Sequence, residues 1–205
     1  SKKMKIEDAK KIFKKNFIGP DELASINVDL NFHIPKNISE IDFEISDLNP
    51  EDYILIYGCS QLKNLQNLNL KKLIDIFGIS NNPNNVNFYN QDWYLSEDFI
   101  NKSLSNRWYL IQKNIQEKTR GKAPEKEIQE FLPSSILCAY TFFCWWIIRK
   151  ETLWANDFIW CSDKDRFDDR IYVGKYIDEV DINRSGFSIH RHLSIKSNYG
   201  SIRTH

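Results

Sequence analysis

Glycine is scarce in this chain, seven in 205 residues, and none fall into GxGxxG or GxxxxGK, so the loops that cradle dinucleotides and nucleoside triphosphates are missing. GxSxG and HExxH are absent as well, which removes the commonest serine-hydrolase and zinc-protease arrangements. Cysteine is limited to Cys59, Cys138, Cys144 and Cys161. None are in CxxC spacing, and three lie within apolar runs, where thiols behave as small hydrophobes. Buried free thiols and a reducing cytoplasm are the expectation. No charged segment followed by an apolar one opens the chain, in keeping with that compartment. Met4 is the only methionine, so the expectation is that residues 1–3 are an added leader or an alternative start.

Net charge is also lacking. The 28 Lys and Arg balance the 28 Asp and Glu, whereas binders of nucleic acid or anionic membranes carry a clear basic excess. The N-terminal quarter is polarised. Seven lysines crowd residues 1–15, and nine acids against Lys36 fill residues 21–52. A basic first helix lying on an acidic second segment accounts for this pattern.

What is present is core material. Hydrophobic residues make up 41% and aromatics 14%, enough to exclude wholesale disorder. The length suits one domain over 1–205, with a polar helical or irregular segment at 1–50 and the main core at 51–205. No repeat or long linker divides it. The 20 asparagines and 27 isoleucines are spread throughout, as codon drift in an AT-rich bacterial or phage genome would produce. Residues 81–90, NNPNNVNFYN, form the clearest loop.

Periodicity predicts a helix over 6–16 and a short turn from 21 to 26 capped by Asp21. Residues 28–49 are then irregular. A buried strand follows over 53–57, and a helix over 69–77 closed by Gly78. A helix over 96–104, a strand over 107–115 and a short charged helix after Pro124 come next. Ser134 or Ser135 then caps the most hydrophobic element, 136–148, apolar on every side and therefore expected to be wrapped by other elements. Its 13 residues fall short of the roughly 20 that a membrane span needs. Strands over 157–161, 170–177 and 187–195 complete an α+β fold with a C-terminal antiparallel sheet.

The last of these strands carries the first candidate chemistry. Alternation puts Ser188, His190, His192 and Ser194 on one side and Phe187, Ile189, Arg191, Leu193 and Ile195 on the other. Two imidazoles about 7 Å apart can hold a divalent metal if a carboxylate such as Asp163 approaches. A polar sheet face explains the same pattern and is preferred. Arg191 stands on the apolar parity, so a carboxylate must meet it, with Asp157 and Asp169 the candidates. The acidic run Asp163, Asp165, Asp168 and Asp169 fails as a calcium loop because Phe167 takes a ligand position, and Lys164, Arg166 and Arg170 neutralise it. A solvated hairpin turn is expected. A nuclease scheme wants two carboxylates and a lysine at set spacing on adjacent strands; no such triplet lies on a predicted strand, and Asp163 and Asp165 with Lys175 on the next strand, and Arg191 as an anion-binding group, would depart from that motif. Most aromatics are assigned to the core, with Trp93 and Tyr94 as an exposed pair.

FIGPDEL (17–23), WYLIQKN (108–114), LPSSILCAYTFF (132–143), DFIWCSDKDRFDDRIYVGKY (157–176) and GFSIHRHLSI (186–195) together resemble an uncharacterised bacterial protein family. The resemblance spans nearly the whole chain and implies one cytosolic bacterial domain, with no reaction, cofactor or partner attached. The leading expectation is a non-catalytic binding or interaction module that uses the C-terminal sheet face and its turns to hold a protein or small molecule. The alternative is a metal-dependent hydrolase, of the phosphodiesterase or nuclease kind, built on His190, His192 and Asp163 or Asp165. An exposed sheet edge or aromatic patch would also serve a homodimer.

Overall fold

A computed structural model describes residues 3–26, 30–79, 86–181 and 184–205. The chain is α+β with two mixed sheets. In the first, β2 (Tyr53–Gly58) is central, buried at every position as its unbroken apolar run requires. It pairs in parallel with β1 (Phe17–Ile18) and antiparallel with β3 (Arg107–Gln112). The second sheet has the order β6-β5-β4-β7, from β4 (Phe158–Lys164), β5 (Arg170–Tyr176), β6 (Gly186–His190) and β7 (Tyr199–Gly200). Its first three strands are antiparallel, as expected, but β7 joins β4 in parallel, so the C-terminal sheet is mixed. Gly174 lies where a Cβ would collide with the Asp157 carbonyl, so the chain entering β4 presses against β5 only because that position is bare.

Between the sheets lies the apolar rod, α4 (Ser135–Arg149), buried from Ser135 to Trp145. Ser134 caps it by accepting from the Leu137 amide. On one side Tyr140 donates its hydroxyl to the Tyr57 carbonyl of β2 at 2.7 Å. On the other, Phe142 and Phe143 pack against Phe187 of β6. A third contact comes from α3 (Leu70–Phe77), whose Phe77 stacks on Phe143 with centroids 4.1 Å apart. Asn69 caps α3 and Gly78, at φ 69°, ends it. The largest core cluster draws on described residues from Ala9 to Ile202, so the N-terminal segment packs into the same core as the rest. No helix among the described residues is long and apolar enough to cross a membrane, and all four cysteines are free and buried.

Several elements differ from expectation for identifiable reasons. The first helix, α1 (Ile6–Phe13), stops when Lys14 takes φ 51°, and one 3-10 turn carries the chain to Asn16. Its basic face does meet the acidic segment, through Lys10 and Glu22 at 3.0 Å. Gly19, not Asp21, caps α2 (Pro20–Ala24), with the Glu22 carboxylate accepting from the Gly19 amide. The helix expected over 96–104 is two 3-10 turns, Trp93–Ser96 and Asp98–Asn101, because Glu97 between them is extended and turns its carboxylate inward. The segment after Pro124 is likewise 3-10, over Lys126–Phe131. Trp93 and Tyr94 are no exposed pair: Tyr94 is fully buried, and Trp93 donates its indole N–H to the Ile189 carbonyl. The asparagine-rich loop lies outside the described residues as far as residue 85.

Candidate functional site

The second sheet has two differently furnished faces because its strands alternate in register. Ile159, Cys161, Ile171, Val173, Phe187 and Ile189 turn toward α4 and join the main core. The opposite parity supplies Phe158, Trp160, Tyr172 and Tyr176, which with Tyr199 and Leu132 form a separate aromatic cluster. His190 belongs to this face too, directly across from Tyr172 in the ladder. Half of the face is closed, where Trp160 donates to the Lys122 carbonyl. The other half opens as a cleft of about 480 Å³ floored by Phe158, Tyr176, His190 and Tyr199. Its lip carries Asp178, Glu179, Val180, Leu193 and Lys196.

The rings meet one another mostly edge to face. Phe158 stands at 82° to His190 and at 81° to Tyr199, with centroids 5.1 and 5.6 Å away. Tyr176 meets His190 at 69°. The one near-parallel pair involving the histidine, His190 on Tyr172, is already stacked at 5.6 Å. The Ser188 hydroxyl donates to the Gly174 carbonyl at 3.1 Å, so the His190 Nε2, 2.8 Å from that hydroxyl, carries the proton that completes the pair. Burial, aided by Lys196, pushes His190 down to about 4, so the ring is neutral near pH 7. Asp178 is held below the usual carboxylate range by the amides of Asp181 and Val180, which both donate to it.

The buried neutral imidazole makes stability depend on pH. His190 binds a proton more weakly folded than unfolded, so its contribution is complete above its usual value of 6.5 and declines as pH falls toward about 4. At pH 5 this costs about 2 kcal/mol relative to pH 7. Urea unfolding should show that loss in the wild type, reduced by about this amount in His190→Gln. An equal acid loss in both proteins would contradict it.

A second constellation forms where the β4–β5 hairpin meets the end of β6. Asp163 is spent on structure: it accepts from the Ser135 amide at the start of α4 at 2.6 Å and from Lys102 at 3.1 Å. Asp165 is wholly buried as a side chain. One of its oxygens accepts from the amides of Phe167 and Asp169, and the other lies 2.8 Å from Arg191 and 3.1 Å from His192 Nε2. Burial alone would raise this carboxyl, but the Asp169 amide, Arg191 and the Phe167 amide outweigh it and hold the acid below its ordinary value. Glu97 joins the knot through the backbone and side chain of Arg166 and through Arg191 at 3.4 Å. The Arg191 guanidinium rests 4.3 Å from the Trp93 ring centroid.

Arg191 therefore meets carboxylates, but they are Asp165 and Glu97. Asp157 sits at the far end of β4, where Arg120 holds it with two hydrogen bonds of 2.9 and 3.2 Å. Asp169 contacts His192 instead, at 3.0 Å. The antiparallel ladder explains the choice, since Tyr172 opposite His190 brings the end of β6 beside the hairpin turn. The expected solvated turn is thus half interior, with Asp163 and Asp165 both buried.

The two histidines separate. The ladder ends at His190, and His192 adopts φ 63°, which swings its ring to the hairpin while His190 stays among the outer aromatics. Asp165, Asp169 and His192, not the set of His190, His192 and Asp163, offer ligand atoms all within 4.8 Å of one another. In that group the imidazole touches each carboxylate through a different nitrogen, so the ring itself fills the space between them, and Arg191 occupies the same Asp165 oxygen as His192. Lys175 stands on β5 opposite Phe187, on the other parity from His190, with its ammonium pulled down by burial, and belongs to neither constellation. Sequence reasoning missed Phe158, Tyr176, Asp178 and Tyr199 in the cleft and Glu97 in the knot. The cleft had a signal: Phe158 and Trp160, Tyr172 and Tyr176, and His190 share one parity on three neighbouring strands. Comparison with protein-family models, with curated proteins and with solved structures finds no match for this chain.

Proposed function

We propose that this chain is a non-catalytic binding module that holds a small molecule in the cleft on the outer face of its C-terminal sheet. The observation that carries the reading is the cleft itself, where the partly exposed rings of Tyr176 and His190 lie beside the buried Phe158 and Tyr199, beneath a lip that mixes charge with the exposed apolar side chains of Val180 and Leu193. Ligand sites combine apolar and aromatic walls with a few placed polar groups in volumes of roughly 300 to 1,000 Å³, and this cleft has that make-up. Membership of the uncharacterised bacterial family and a cytoplasmic setting belong to the same reading, the latter supported by four buried free thiols.

The metal-dependent hydrolase is the second reading, now resting on Asp165, Asp169 and His192. The ion-pair knot weakens it, because Arg191 already neutralises the carboxylate that a metal would need. One experiment separates the two. Isotope-labelled protein is titrated with a panel of small organic cations, anions and neutral rings, and the same preparation, purified without chelators, is analysed for metal. Binding by at least one compound, with shifts at Asn156, Tyr176, Val180 and Asn198 that vanish in Tyr176→Ala, is the expected result, together with no stoichiometric metal. Stoichiometric zinc or manganese that is lost in His192→Ala, with no compound at the cleft, would overturn it in favour of the hydrolase.

A further inference from the structure

We infer that Lys175 is an acylation site, a nucleophilic amine that takes an acyl group from a donor with a good leaving group, the chemistry shared by acyl phosphates and thioesters. Alternation along β5 puts Lys175 on the same side as Ile171 and Val173, which face α4, and the ladder sets it opposite the fully buried Phe187. The backbone is tied at this residue. Its amide donates to the Trp154 carbonyl at 2.9 Å and its carbonyl accepts from the Asn156 amide at 2.8 Å, while the Asp157 carbonyl presses on the bare Gly174 next to it. The side chain is therefore committed to the apolar face near the end of the strand, where it is half-buried.

No anion meets it there. Among the described residues the Lys175 Nζ has no hydrogen bond, ion pair or aromatic face against it. No charged group acts on it from any element packed nearby, and burial alone lowers its affinity for a proton. Lys113, the other described lysine that burial affects in this way, is held instead by the Asn16 side chain at 3.3 Å and by the Trp145 ring at 4.7 Å. An ammonium partly stripped of water and given no partner releases its proton more readily, and the free amine is the nucleophile. In the step, the Nζ lone pair attacks the acyl carbon. The C–N bond forms as the bond from that carbon to the phosphate oxygen or thioester sulfur breaks, the phosphate or thiolate departs, and the proton lost by nitrogen passes to solvent. The amide product is neutral, so acylation removes the cost of a half-buried charge and stabilises the fold.

The native protein is treated at neutral pH with acetyl phosphate and, separately, with acetyl-coenzyme A, and the occupancy of each lysine is followed by peptide mass spectrometry. Lys175 should be acetylated several-fold faster than the exposed Lys71 and Lys118, and this advantage should vanish in urea-unfolded protein. Labelling by one donor alone supports the assignment and identifies the leaving group that suits the site. Lys175→Gln, which removes the charge, should raise the urea midpoint, whereas Lys175→Arg, which keeps it, should not. Acetylation of Lys175 no faster than that of Lys71 and Lys118 with either donor, or only after unfolding, overturns the assignment. A Lys175→Gln midpoint below that of the wild type overturns the claim that neutralising this residue relieves the fold.

Discussion

Replacing Arg191 with methionine should destabilise the protein by about 3 kcal/mol or more, the cost of leaving a buried carboxylate without its partner. Asp165 would lose the guanidinium 2.8 Å from its buried oxygen, and Glu97 would keep only Arg166. His192 at 3.1 Å remains beside Asp165, which places the loss near the lower end of the 3 to 5 kcal/mol range for broken buried pairs. The pH dependence identifies the cause. In the wild type Asp165 is held below its ordinary value, so it stabilises the fold above the unfolded carboxylate range and loses that contribution as pH falls through its folded value. In the variant, burial acts without the guanidinium, and protonation relieves the penalty. The gap between the two proteins in urea unfolding should therefore narrow toward acid. A gap of constant size from neutral to acid pH would show that Arg191 acts through its packing on Trp93 instead.

Phe143→Ala should cost about 3 to 5 kcal/mol, the usual range for removing a large buried aromatic from a close-packed interior. Phe143 is fully buried and meets Phe77, Phe88, Phe142 and Phe187 with centroids between 4.1 and 5.9 Å. These rings come from α3, the segment before the Trp93–Ser96 turn, α4 itself and β6, so no single element can shift to fill the hole. Phe143→Leu keeps most of the volume and should cost less than half as much. Similar midpoints for the alanine variant and the wild type in chemical denaturation would mean that the four neighbours collapse freely, contrary to this packing.

The sequence carried the elements that local rules specify. Asn69 and Gly78 bracket α3, Ser134 caps α4, and 53–57 is a buried strand, because caps, positive φ and apolar runs are local properties. It carried the surroundings of α4 as well, since a helix apolar all round has no other stable place. What it could not carry is pairing across long separations. Parallel β7 on β4 joins residues some forty positions apart, and its two-residue length leaves no periodic trace. Glu97 looked like first-turn helix chemistry because nothing nearby shows that Arg166 and Arg191 converge on it.

The candidate site was legible to the point where the backbone left the pleat. Alternation gave the faces of Phe187, Ser188, Ile189 and His190 correctly, and Arg191 was rightly expected to find an acid. It failed at His192, because a single left-handed residue ends the period of two, and the pull of Asp165 and Asp169 on the ring is invisible before the hairpin is placed beside it.

The placement of α4 also bears on how the chain reaches its native state. A rod with no water-facing stripe gains little by forming on its own, and each sheet would leave a greasy surface bare without it. Its apolar faces are therefore covered only when both halves of the molecule are in place. A chain emerging from the ribosome would stay vulnerable to aggregation until β6, whose Phe187 covers Phe142 and Phe143, had left the exit tunnel.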